Sequence, residues 1–166
     1  MRRFEVITDG EHLAPVIELP ARTPRTPRPR RAAGFSMKVK LETRARAGGH
    51  DRDIDEARCE SCGVWLGRYG GQIQHRAARG MGGSTSLMTN SIQNAVLLCG
   101  TPFDGCHGLC ERRQDERMNI LGFWLRHGEH PACTPIVLHG RLGHGLKVWL
   151  TPTGRYSHTP PAGGAA

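Results

Sequence analysis

A small α+β fold held together by a metal is what this 166-residue sequence predicts, and three observations predict it. The knuckle Cys59-x-x-Cys62 and the later pair Cys99 and Cys106 supply four soft ligands in two pairs. Between and after them the apolar pattern changes. QIQH at 72 to 75 alternates as a strand does, AVLL at 95 to 98 is a continuous apolar run, and the polar stretch after Cys106 suits a helix. Finally, 37% hydrophobic and 5% aromatic residues provide only a small core, which benefits from a staple.

Four thiolates in two pairs suit one tetrahedral Zn2+. The first pair has the tight spacing of a knuckle. The second is looser, and its insert TPFDG carries the Pro and Gly that a turn between ligands needs. Two disulfides are the alternative. No apolar signal-peptide core follows Met1, so the expected setting is a soluble protein of a reducing cytoplasm, where zinc is favoured. No apolar run approaches the roughly 20 residues needed to cross a bilayer, so no membrane partner is expected.

In chain order, residues 1 to 34 are expected to be a disordered basic arm. FEVI and LAPVIEL at its start have no assigned role, and residues 20 to 34 hold four prolines and five arginines. Residues 35 to 156 are expected to form the folded domain. FSMKVKLETRARAGG, 35 to 49, reads as a helix with Ser36 as N-cap and Gly48 and Gly49 as the stop. HDRDIDEAR, 50 to 58, is expected to loop out. VWLGRYGG leads into the first strand, and a glycine-rich loop, 78 to 91, separates it from the second. Trp65 is expected in the core. A helix is predicted from near His107 to about Met118, with Cys110 a small buried apolar residue. GFWLRHG, TPIVLHG and LKVWLTPTGRY read as strands of a small C-terminal sheet, and 157 to 166 as a frayed tail.

The charge is local. Residues 22 to 46 carry nine Lys and Arg against Glu42 alone, which equals the formal +8 of the whole chain. Arginine forks pair with phosphates, so Arg22, Arg25, Arg28, Arg30 and Arg31 are candidate contacts to nucleic acid. Arg76 and Arg79, which flank a histidine, are further phosphate candidates, with ordinary surface charge as the alternative.

His75, Asn94 and His107 are threaded between CxxC and the C…CH pair, in HRAARGMGG at 75 to 83, NAVLLCG at 94 to 100 and GCHG at 105 to 108. Over about residues 34 to 156 this pattern resembles the HNH endonuclease family, and within it the small HNH proteins coded by bacteriophages of actinobacteria. The resemblance implies a ββα-metal core whose strands carry His75 and Asn94 and whose helix begins near His107. It also implies hydrolysis of phosphodiesters in double-stranded DNA with Mg2+ or another divalent ion. His75 would be the general base, Asn94 the organiser of the loop that fixes it, and His107 a ligand of the catalytic metal. Glu111, four residues on, and Gln74 are the further candidate ligands. At position 74 the family commonly has Asp or His; a neutral amide is a weaker ligand, so low metal affinity is expected. Genome packaging beside a phage terminase is one implied role, homing or restriction another. The competing expectation is a zinc-stapled DNA-binding protein that kept the fold and lost the chemistry at Gln74.

Overall fold

The computed structural model describes residues 34–79, 86–113, 115–143 and 145–161. The chain divides into two units, Met1–Arg30, which lies outside the described residues, and Arg31–Ala166, which holds every described element. The expected basic arm, with Arg22, Arg25, Arg28, Arg30 and nearly all its length, therefore lies outside what the structure describes, as does Arg31.

Helix α1, Met37–Ala47, starts where Ser36 Oγ accepts the Val39 amide at 3.3 Å, and Arg44 and Arg46 occupy its last turn, where cations suit the helix dipole. Its buried residues are Thr43, Arg46 and Ala47 rather than an apolar stripe. Arg46 drives inward and meets Glu60 in a two-pronged ion pair, at 2.9 and 3.1 Å, with both side chains buried. Glu60 Oε2 also accepts the Leu97 amide at 2.7 Å and Oε1 the Tyr156 hydroxyl at 2.7 Å, while Arg46 donates to Ala95 O at 2.6 Å. One carboxylate thus ties the helix, the knuckle, the AVLL strand and the strand at Tyr156 together, with both charges paired.

Residues 50 to 58 do not loop out. Asp53 caps a 3-10 turn at Ile54–Glu56 by accepting the Asp55 amide, Ala57 is buried, and the Arg58 amide donates to Ala47 O at 3.0 Å. The acidic residues are used locally: Asp55 takes both prongs of Arg68 at 2.8 and 2.6 Å, and Arg52 pairs with Glu42. Trp65, expected in the core, is exposed, with its indole N–H donating to Asp55 O.

Strands β1, Gln72–His75, and β2, Ala95–Leu98, pair antiparallel, with Gln74 opposite Val96 and His75 opposite Ala95. All four β2 residues are buried, which explains why AVLL is apolar throughout instead of alternating. Helix α2, Gly105–Glu111, packs on both strands. It ends sooner than the predicted helix: Arg113 takes a left-handed φ of 50°, and Asp115 caps a separate α3, Glu116–Ile120, by accepting the Met118 amide. GFWLRHG is not a strand. Its Phe123, Trp124 and Leu125 are buried, but their backbone bonds go to Met118 O and Arg76 O instead of a ladder. The other two C-terminal stretches form β3, Ile136–Leu138, β4, Leu146–Leu150, and β5, Tyr156–Ser157, in one antiparallel sheet of that order. Ser157 belongs to this sheet, inside the stretch expected to be tail. Val96, Leu98, Cys110, Phe123, Ile136 and Leu150 share the main core, each contributing about 1 to 3 kcal/mol by leaving water. No helix among the described residues is long and apolar enough to cross a membrane.

Candidate metal centre and neighbouring cleft

The four cysteines come together. The sulfurs of Cys59, Cys62, Cys99 and Cys106 all lie within 4.8 Å of one another, the one group of three or more metal-ligating side chains that the described residues assemble. The knuckle closes because the Gly63 amide donates to Cys59 O and the Cys59 amide to Val64 O, each at 2.8 Å, with Gly63 at φ 76°. The second pair closes across TPFDG. Thr101 N donates to Asp104 Oδ1, and a Cβ on Gly105 would stand 2.7 Å from Cys99 O, so only glycine fits there. Cys106 then sits in the first turn of α2.

Cys62 and Cys99 sulfurs are 3.6 Å apart, far beyond a disulfide bond and close to the roughly 3.8 Å edge of a tetrahedron with metal–sulfur bonds of about 2.3 Å. All six cysteines are free thiols. The set also has a polarised electrostatic pattern. The Cys59 thiol and then Arg141, which donates to Cys106 Sγ at 3.1 Å, hold Cys106 down to about 4, while Cys59 is pushed well up and burial pushes Cys62 up to about 11. These are the shifts of sulfurs sharing protons at close range, a crowding that a dication relieves. The donor set therefore fits Zn2+, with Arg141 as an outer hydrogen bond to one sulfur. Cys110 is buried in the core and outside the group.

Beside this centre lies a cleft of about 400 Å³ whose walls include Gln74, His75, Arg79, His107, Glu111 and Arg113. β1 presents Gln74 and His75, and α2 presents His107 and Glu111 one turn apart. His75 is fixed on two sides. Phe35, the residue before the α1 cap, stacks on its ring at 3.8 Å and 13°, and Nε2 lies 3.1 Å from Asn90 Oδ1. Burial, as the largest cause, lowers the His75 pKa, so the neutral imidazole prevails at pH 7. With Asn90 accepting, Nε2 carries the hydrogen and Nδ1 is left as the basic nitrogen. His107 is buried, and its Nδ1 has no hydrogen-bond partner among the described residues. A buried ring nitrogen without a partner is uncommon and calls for an explanation.

Asn94 is not in a strand but ends the 3-10 turn Ile92–Asn94 just ahead of β2, and it is wholly buried. Its Oδ1 accepts the Ala77 amide at 2.6 Å, and its Nδ2 donates to Ala77 O at 3.1 Å and Thr89 O at 2.9 Å. Both ends of the loop that follows His75 are thereby clamped to one side chain. Arg79 lines the cleft. Arg76 does not. It is completely buried, and its guanidinium donates to five carbonyls, those of Gly122, Gln93, Pro131, Thr134 and Pro135, at 2.7 to 3.3 Å. Burial pulls its pKa down to about 9, and the carbonyl cage keeps it charged. Its reading as a phosphate contact is corrected: Arg76 follows the end of β1, and its side chain is buried in the protein and does not line the cleft.

Sequence reasoning missed Asn90, Phe35, Arg113 and Arg141. Only Phe35, fixed beside the Ser36 cap, carried a local signal; the other three reach the site through long-range folding. Compared with protein-family models, curated proteins and solved structures, the chain matches none.

Proposed function

We propose that the chain is a ββα-metal endonuclease of the HNH type, with Zn2+ on the cysteine tetrad as a structural staple and a second divalent ion, Mg2+ or a relative, serving hydrolysis of DNA. The observation that carries this reading is the joint cleft: Gln74, His75, His107 and Glu111 line one space, and the buried Nδ1 of His107 lacks a partner among the described residues. His107, Glu111 and Gln74 are the residues that would hold the divalent ion, which when bound supplies positive charge to the phosphate and the leaving oxygen. His75, neutral and held by Phe35 and Asn90, takes the proton from the attacking water at Nδ1. Asn94 holds the Ala77 and Thr89 ends of the loop, so His75 keeps its direction. Arg79 and Arg113 add positive charge to the walls of the cleft where a phosphodiester would lie. On this reading the partner is double-stranded DNA, and packaging beside a terminase is a phage role consistent with it.

A second reading rests on two observations: the residue before His75 is a neutral amide, and no three His, Cys, Asp or Glu side chains of the cleft lie close enough together to form a metal site among the described residues. On it, the chain is a zinc-stapled DNA-binding protein without catalysis. Gln74→Asp separates the two. If Gln74 faces the divalent ion, the Mg2+ or Mn2+ concentration for half-maximal plasmid nicking falls about tenfold, equivalent to about 1.4 kcal/mol of added affinity. An unmoved midpoint removes Gln74 from the ligand set. If both proteins bind DNA and neither nicks it with any divalent ion, the binding reading holds instead.

A further inference from the structure

A larger cleft, about 590 Å³, shares no lining residue with the one just described. It opens where the C-terminal end of α1 meets the segment after the 3-10 turn and the C-terminal sheet, so its walls come from four separate parts of the sequence, around Ala47, Arg58, His139 and Arg155. Its floor is the buried Arg46–Glu60 pair with Tyr156, whose charges cancel one another. The wall charges do not cancel. Arg52, Arg58 and Arg155 face Glu56 as the lone carboxylate of the wall. Arg52 is held by Glu42 and by Gly154 O. Arg58 and Arg155 are exposed, and neither pairs with a carboxylate among the described residues.

Two features make this more than surface charge. The negative end of α1 is covered, because the Gly48, Gly49 and Arg58 amides donate to its last carbonyls. His139, on the same wall, is held in the left-handed region at φ 56°, unusual for a residue with a side chain, with its amide donating to Glu60 O at 2.9 Å and its ring against Gly63. The arginines thus stand on a floor that hydrogen bonds fix before any ligand arrives.

We propose that this cleft is a second phosphate site, in which Arg58 and Arg155 grip the backbone of the same duplex DNA whose scissile strand lies in the Gln74–His107 cleft; it rests on the DNA reading above. Guanidinium forks match phosphate oxygens, and no acidic wall residue besides Glu56 opposes them. The spacing suits one ligand. Phe35, just ahead of α1, and Lys40, in its first turn, line the first cleft, Ala47 and Gly48 at the other end of α1 line the second, and an 11-residue helix is about 16 Å long. A duplex rising about 3.4 Å per base pair covers that distance in about five pairs.

The test is the salt dependence of binding of a 20-base-pair duplex to the zinc-loaded full chain, without added Mg2+, for wild type and for Arg58→Gln/Arg155→Gln. Each arginine–phosphate pairing removed should make the slope of log affinity against log salt shallower by about 0.9, and weaken binding about tenfold at 0.1 M salt. Zinc content and melting temperature check folding, and Arg155→Gln alone serves if the double variant is unstable, since the Arg155 side chain makes no hydrogen bond among the described residues that the change would break. Arg126→Gln/Lys147→Gln removes two charges outside both clefts. An unchanged slope in the folded cleft variant overturns the proposal, and so does an equal weakening in the control pair. A cleft variant that loses inorganic-phosphate binding, read by phosphorus NMR, yet keeps its duplex slope also overturns it, since the site would then take free phosphate. A wild type that binds no duplex sinks the DNA reading itself, whereas binding without nicking leaves this comparison intact.

Discussion

His75 and Arg76 are neighbours with opposite fates. His75, the last residue of β1, lines the polar cleft; Arg76, just past the strand, is surrounded by carbonyls. From sequence His75 was a candidate base and Arg76 a candidate phosphate contact beside it, since nothing local announces a cage built from residues 93, 122, 131, 134 and 135. Arg76→Ala is expected to cost at least about 3 kcal/mol in urea unfolding, because it strands several buried acceptors, and to leave the salt slope of DNA binding unchanged. A stable variant with a shallower slope would return Arg76 to the surface. For His75 the sign of the pH effect follows from burial. A lowered pKa keeps the imidazole neutral below its ordinary value of about 6.5, and a divalent cation in the cleft pushes the same way. Single-turnover nicking should therefore stay flat down to about pH 6.5 and decline only below it; an acid limb centred higher contradicts the assignment.

At the scale of elements, the knuckle, the paired strands and α2 were legible because each has a local cause: ligand spacing for the knuckle, apolar alternation and a continuous apolar run for the strands, the change to polar sequence after Cys106 for the helix. The parts that were not legible depend on partners distant in sequence. Residues 50 to 58 look like a solvated acidic insert until Glu42, Arg68 and Ala47 O take up their groups. GFWLRHG has the composition of a strand but spends its backbone bonds on Arg76 and Met118. α2 stops at Arg113 because that residue turns left-handed, a choice no periodicity reveals. The four-cysteine centre joins these elements. Zinc affinity in such sites is on the order of 10 kcal/mol, comparable with the entire stability of a domain this size. Elemental analysis should find one zinc per folded chain, and stripping it with a strong chelator, or Cys59→Ser, should abolish cooperative thermal unfolding. A metal-free chain that melts unchanged would show that the buried core and the Arg46–Glu60 network suffice.

For the whole molecule, the described residues form a small sheet pair and a small C-terminal sheet around one thiol centre, with a histidine cleft at one end of α1 and an arginine cleft at the other. Both clefts carry arginines, and the sequence adds seven basic residues between 22 and 40, charge that suits the proposed nucleic-acid partner. The His–Asn–His arrangement was legible in the sequence because its spacing is bound to the cysteines; Asn90 and Phe35, which hold His75, emerged only with the fold. DNA cleavage in this cleft is a proposal that relaxation of supercoiled plasmid decides, with the zinc-loaded full chain and Mg2+ or Mn2+ titrated in. The expected products are nicked circles that require the added ion, and they fall by at least about a hundredfold in His75→Ala, which still binds DNA and still holds its zinc. Nicking that survives His75→Ala, or an inert wild type that binds plasmid under every ion, would contradict it.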